Sequence, residues 1–224
     1  MAKMDSHRFL PGAAAVICLI LLPLSDVKAA GYGFYGSLGF GEGVFNSELS
    51  FPDLSYARIR MGGGFVFDNA LEGNSIFNYR LNLGADGIID NVQDATDNIA
   101  YHFDGFRLNW INDFGFAIVR VPGLRWWIGP QLGFHYLDES DGYGTGIFSL
   151  DFSAGAVTGI NFNTPGGFTF GLDFALRYIG EAATKVEPSY QDVSYFGNGL
   201  EFGLTASFII RGIMVHRVHG RRYY

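Results

Sequence analysis

Phe168-Thr169-Phe170-Gly171-Leu172-Asp173-Phe174-Ala175-Leu176-Arg177-Tyr178 is the stretch that decides the fold. Phe168, Phe170, Leu172, Phe174, Leu176 and Tyr178 occupy every second position, and Thr169, Asp173 and Arg177 fall between them. Successive residues of a strand point to opposite faces, so this run describes a strand with one wholly apolar face and one polar face.

The same alternation recurs along the chain. Tyr32, Phe34, Leu38 and Phe40 oppose Gly33, Tyr35, Ser37 and Gly39; Ala57, Ile59, Met61, Phe65 and Phe67 oppose Arg58, Arg60, Gly62 and Gly64. Phe77, Tyr79, Leu81, Leu83 and Ala85 oppose Asn78, Arg80, Asn82 and Asp86; Phe106, Leu108, Trp110, Phe114, Phe116 and Ile118 oppose Arg107, Asn109 and Asp113. Trp126, Ile128, Leu132, Phe134 and Tyr136 oppose Arg125, Gln131 and His135; Phe148, Leu150, Phe152, Ala154, Ile160 and Phe162 oppose Ser149, Asp151, Ser153 and Asn161. After the stretch quoted above, Leu200, Phe202, Leu204, Ala206, Phe208 and Ile210 oppose Glu201, Thr205 and Ser207. Eight strands result, with Pro122-Gly123 and Pro165-Gly166-Gly167 marking two tight turns between them.

Charge sorts by face. Arg58, Arg60, Arg80, Asp86, Arg107, Asp113, Arg125, Asp151, Asp173, Arg177 and Glu201 all stand opposite the apolar row. A soluble sandwich also alternates, but it turns its apolar face inward and its charged face to water. Here large aromatics sit on every apolar face, often at its ends, in the manner of interfacial girdles. The opposite faces are rich in glycine and small polar residues. Strands of ten to sixteen residues exceed the usual five or six of globular sheets and suffice for a tilted membrane strand, which needs about 9–11. The expected fold is therefore all-β: a closed, antiparallel, up-and-down transmembrane barrel of eight strands.

Composition agrees. The 224 residues include 32 glycines and 22 phenylalanines, and charged residues make up 17%, against about 25% in ordinary soluble domains. Lys185 is the one lysine after residue 30. Residues 1–29 read as an export signal: Lys3, His7 and Arg8, the apolar run Ala13 to Leu22, then Val27-Lys28-Ala29 before a cut. Cys18, the only cysteine, falls within it, so the barrel, residues 30–210, has no disulfide, thiolate metal site or thiol nucleophile. A basic tail, residues 211–224, carries Arg211, His216, Arg217, His219, Arg221 and Arg222, suited to anionic head groups on the periplasmic side.

Loop lengths orient the barrel. With the termini periplasmic, the outer loops are 42–54, 87–104, 138–146 and 180–196, and the inner turns are 68–75, 120–123 and 163–167, long outside and short inside as in bacterial barrels. The outer loops hold Glu42, Glu48, Asp53, Asp90, Asp94, Asp97, Asp104, Asp138, Glu139, Asp141, Glu181, Glu187 and Asp192 against Lys185 alone.

This arrangement resembles the small bacterial outer-membrane barrels typified by OmpW, OmpX and the transmembrane part of OmpA, with OmpW-like proteins favoured. Glu201-Phe202-Gly203-Leu204-Thr205-Ala206-Ser207-Phe208 is similar to the assembly signal in the last strand of such proteins, though this chain runs on past the strand instead of stopping at an aromatic. The resemblance implies residence in the bacterial outer membrane, contact with its lipid and its assembly machinery, and passage of small, often apolar, molecules through lumen or wall. An eight-stranded barrel has an interior just wide enough for side chains or one small ligand, which excludes a wide general porin. The expected function is a narrow porin-like channel for a small-molecule solute, its path lined by the eleven charges above and His135. The alternative is a surface-exposed structural or host-interaction barrel whose acidic loops engage an extracellular ligand. No cofactor, metal site or catalytic group is expected, since His102 with Asp104, and His135 near Ser149, Asp151 and Ser153, are ordinary polar neighbours without a triad's geometry. So acidic a chain is no partner for nucleic acid.

Overall fold

A computed structural model describes residues 31–47, 53–69, 76–94, 100–186 and 192–211. The proposed export signal and the tail beyond Arg211 lie outside the described residues. Eight strands run in chain order: β1 (Gly31–Ser47), β2 (Leu54–Asp68), β3 (Phe77–Asp94), β4 (Ala100–Val121), β5 (Leu124–Ser140), β6 (Gly146–Asn163), β7 (Phe168–Val186) and β8 (Val193–Arg211). Each pairs antiparallel with the next and β8 pairs back with β1, closing the barrel. Closure satisfies every strand's backbone N–H and C=O groups, which hydrocarbon cannot do for a free edge. The end carrying Gly31 and Arg211 is called lower here, the opposite end upper.

The pairing is staggered. Tyr32 pairs with Phe67, and the row continues through Leu81, Asn112, Leu132, Ala154, Tyr178 and Leu200 to return to β1 at Glu42, ten residues above its start. Such a stagger on eight strands tilts them by roughly 40° to the barrel axis and keeps the interior narrow enough for side chains to fill.

The two faces separate as the alternation requires. Outward stand Phe34, Met61, Phe65, Leu108, Phe152, Leu172, Phe174 and Leu204, all exposed although apolar. Exposed aromatics cluster near the lower ends, with Tyr32, Phe67, Phe77, Phe116, Trp126, Phe162 and Phe168, and again higher up, with Phe40, Phe106, Phe152 and Tyr178. That pattern is a hydrocarbon-facing belt between two aromatic girdles. Some polar atoms within the belt satisfy one another. Trp126 Nε1 donates to Thr158 Oγ1, which donates to the Trp127 carbonyl, both at 2.9 Å. Tyr79, on the outward row of β3, donates its hydroxyl to Asn112 Oδ1 at 2.7 Å.

Two of the lower turns are tight. Pro122 and Gly123 join β4 to β5 with Gly123 at φ +81°, and Gly167, at φ +80°, ends the β6–β7 turn; both adopt the left-handed backbone that glycine enters without a steric penalty. A bulge between Ala117 and Val119 inserts one residue into β4.

The upper connections differ from expectation. Strands run far into the segments read as loops: β1 to Ser47, β3 to Asp94, β4 from Ala100, β7 to Val186 and β8 from Val193. The physical reason lies in the inward residues there. Phe45, Leu54, Tyr56, Val92, Phe103, Ile147, Ala183, Val193 and Tyr195 come from seven strands and pack together in an apolar layer that closes the upper end of the lumen. An apolar residue pointing inward breaks the rule of apolar outside and polar inside, which hides the upper ends of the strands from the alternation.

Candidate functional site: the barrel lumen

All twelve residues assigned to the interior from the sequence, Arg58, Arg60, Arg80, Asp86, Arg107, Asp113, Arg125, His135, Asp151, Asp173, Arg177 and Glu201, are buried inside the barrel. Five more charges join them. Asp90, Glu139 and Glu181, expected in outer loops, point inward; Asp68, expected in a turn, ends β2 inside the barrel; and Arg211, expected in the tail, closes β8 and is buried. Each shares parity with a neighbour already assigned to the interior: Asp90 with Asp86, Glu139 with His135, Glu181 with Arg177, Asp68 with Arg60, and Arg211 with Glu201. Among the described residues the lumen thus holds seven arginines and nine carboxylates.

These charges form three tiers. In the lower tier Arg80 joins Asp68 at 2.8 Å, also pairs with Asp173, and donates to Asn161 Oδ1 at 3.0 Å. Its guanidinium lies 5.1 Å from the Trp127 ring centre. Arg211 donates to Thr169 Oγ1 at 2.7 Å and Arg125 to Asn78 Oδ1 at 3.0 Å.

The middle tier is built on Glu201, which receives Arg107 and Arg177 at 2.7 Å and Arg60 at 2.9 Å. Arg60 also reaches Asp86 at 2.7 Å. Asn109 Nδ2 donates to Asp86 Oδ2 at 2.8 Å, which leaves Asn109 Oδ1 to accept from His135 Nδ1 at 2.8 Å; His135 Nε2 then accepts from Ser153 Oγ at 2.9 Å. Serine, histidine and asparagine in a line resemble a nucleophile relay, but Ser153 is 1% exposed and His135 fully enclosed. The chain is a tie across β4, β5 and β6. Below it Gln131 and Asn82 donate to Asp113, at 2.5 and 3.0 Å, and Arg177 donates to Gln131. Buried charges persist only when paired and hydrogen-bonded, which these partners accomplish. The void left between Tyr35, Asn82, Gln131 and Arg177 is about 10 Å³, at the lower limit for one water.

The upper tier is unbalanced. Arg58 pairs with Asp90 at 2.8 Å and with Glu181 at 3.3 Å, and comes within 4.0 Å of Asp151. Tyr56 donates to Glu181, and Ser149 Oγ to Asp151 Oδ1 at 2.6 Å. Glu139 lies beside Asp90. Among the described residues one guanidinium thus serves four neighbouring carboxylates, directly beneath the apolar layer.

A shallow groove of about 720 Å³ lies along the upper outer wall, lined by Glu42, Ser55, Ala57, Asn91, Asn198 and Leu200 among others. Behind it β1 pairs without interruption with β2 up to Phe45–Leu54 and with β8 up to Ser47–Tyr195, so the wall between groove and lumen is continuous.

An apolar belt between aromatic girdles, charge confined to the interior and a sheet without edges define a transmembrane β-barrel. Its fold is that of the small bacterial outer-membrane barrels. The outer membrane protein OprG from Pseudomonas aeruginosa superimposes with a TM-score of 0.55 at 9% identity, over 84% of this chain and 100% of that one. Neisserial surface protein A matches over 81% and 99% of the two chains at 14% identity, with a TM-score of 0.33, and the outer membrane protein AlkL over 82% and 90% at 10%, with 0.43. No protein-family model matches the sequence, and no curated protein does.

Proposed function

We propose that the protein resides in a bacterial outer membrane, with Gly31 and Arg211 at the periplasmic side and the upper loops outside, and that its lumen is a narrow gated path for small solutes. The observation that carries this reading is the inner face of β1. Gly39, Gly41 and Gly43 follow one another there, with Gly199 and Gly203 beside them on β8. The β1 side of this strip has no side chains of its own, and on the β8 side only Glu201 stands between the two glycines. Its space is filled from elsewhere: Arg60 covers Gly39, Tyr56 covers Gly43 and Gly199, and Arg60 with Arg177 covers Gly203. Long side chains held by ion pairs vacate such space by changing rotamer and partner, whereas a wall's own branched side chains cannot.

The apolar layer above supplies the closure, because a hydrophobic constriction excludes ions by dewetting. Conductance across a planar bilayer tests the reading, with the refolded protein and Phe103→Ala, which removes the most buried ring of that layer. Small discrete current steps are expected, open for a larger fraction of time in Phe103→Ala. Silence from both proteins over many insertions would leave the lumen a structural filling.

A further inference from the structure

Asp90, Asp151 and Glu181 lie within 4.0 Å of the Arg58 guanidinium, the only one paired with them among the described residues; Glu139 lies beside Asp90, and Asp151 stands directly opposite Glu181 in the β6–β7 pairing. Like charges placed opposite one another on a sheet repel. The repulsion is strongest where water is scarce, and all five side chains are buried.

The hydrogen bonding is also incomplete. Among the described residues no N–H or hydroxyl donor is placed on either carboxyl oxygen of Glu139, whose polar neighbour is the Asp90 carboxyl, although the residue is 2% exposed, and Asp151 Oδ2 and Glu181 Oε2 likewise receive none. A cluster with more carboxylates than positive charges and with carboxyl oxygens that receive no donor is complementary to a group that brings both. A metal ion would bring only charge, and among the described residues the carboxylates do not converge as a coordination shell. A primary ammonium brings one charge and three donors.

What lies above the carboxylates narrows the class further. Two residues up the strand from Arg58, Asp90, Ser149 and Glu181 stand Tyr56, Val92, Ile147 and Ala183, members of the apolar layer with Phe45 and Phe103. An acidic floor beneath an apolar, aromatic layer fits a molecule with a cationic head and an apolar chain, whose head also gains from the Tyr56 ring, already 4.7 Å from the Arg58 guanidinium.

We infer that the upper end of the lumen is a binding site for an amphipathic organic cation, an ammonium group on an alkyl or aryl chain, with Glu139 as its principal anchor. The head lies among Glu139, Asp151 and Glu181, and the chain displaces the side chains of the apolar layer, so binding and opening of that layer are linked. As a statement about the transported solute, this rests on the channel reading; as a statement about binding, it stands alone.

Titration calorimetry on the full chain, refolded in detergent at pH 8 and low salt, tests it with n-hexylammonium as probe and hexanoate as the control of equal chain length and opposite charge. Saturable one-to-one binding of hexylammonium is expected, weakened at least tenfold in Glu139→Gln and in Asp151→Asn, with no binding of hexanoate. Two variants guard against one failing to fold, which heat-modifiable gel mobility reports. Equal affinity for both probes, or unchanged hexylammonium affinity in the folded variants, overturns the site. Planar-bilayer currents separate the two claims: binding without conductance keeps the site and removes the channel, whereas conductance without binding does the reverse.

Discussion

Arg60 on β2 and Glu201 on β8 are not on neighbouring strands, yet Nη2 and Oε1 lie 2.9 Å apart, because their side chains meet over the inner face of the β1 strand between them. Gly39 makes this possible. A Cβ added there would stand 2.5 Å from Arg60 Nε and 2.7 Å from Cζ. Gly39→Ala pushes Arg60 off Glu201, and the overpacking is expected to cost about 1–3 kcal/mol. Gly36→Ala, whose Cβ would meet only the Gly62 carbonyl at 3.8 Å, is the control and should stay within about 0.5 kcal/mol of wild type. Urea unfolding in lipid vesicles, followed by tryptophan fluorescence, compares them; equal stabilities would show that Arg60 has room to spare.

Leu204 tests the belt. It is exposed on the outward row between Leu38 of β1 and Phe174 of β7. Leu204→Arg places a cation against hydrocarbon and should cost about 2–4 kcal/mol in the same vesicle assay. A cost near zero would place this row in water.

Tyr79 and Asn112 test how the belt tolerates polar atoms. Both are buried although they stand on the outward row, and the Tyr79 hydroxyl is the donor to Asn112 Oδ1. Tyr79→Phe strands that oxygen at a cost of about 1–3 kcal/mol, and adding Asn112→Leu, next to Leu81 across the pairing, should restore most of the loss. If the two changes simply add, the hydroxyl and the amide are not coupled.

Above the membrane, Asp141 gives the β5–β6 loop a pH dependence. Slight burial raises the carboxyl, but the N–H groups of Tyr143 and Thr145, at 2.8 and 3.0 Å, outweigh it and hold the group below the ordinary aspartate range. The depressed value means that the loop gains order above the unfolded aspartate value of about 3.9 and loses it as pH falls through the folded value. Amide chemical shifts of Tyr143 and Thr145 should therefore titrate together below pH 4. In Asp141→Ala they should not move.

Strand number, facing and the first twelve lumen residues are legible in the sequence because one rule, alternation, governs them all. What the sequence conceals follows from where that rule gains a second clause. Above Arg58 the inner face turns apolar, at Tyr56 and Leu54, while the outer face turns polar, at Ser55 and Asp53, so the contrast between faces weakens and then reverses. Asp90, Glu139 and Glu181 sit at that reversal and read as loop acids, although their parity with Asp86, His135 and Arg177 places them inside. The partner of each charge is less accessible still. Arg177 stands directly opposite Glu201 in the β7–β8 pairing, but Arg60 and Arg107 come from strands that do not pair with β8, and only the ten-residue stagger of the closed barrel brings them to its level.

The seam that closes the ring joins the first strand to the last, from Gly31–Arg211 at one end to Ser47–Tyr195 at the other. It therefore imposes an order of events. Until β8 arrives, β1 has one unsatisfied edge and the growing sheet has another, and neither can be left facing lipid. A chain interrupted at β7 is accordingly not a smaller barrel but an open sheet with two adhesive margins. Sealing the ring and becoming a membrane protein are a single step, completed only when the last strand has been delivered to the first.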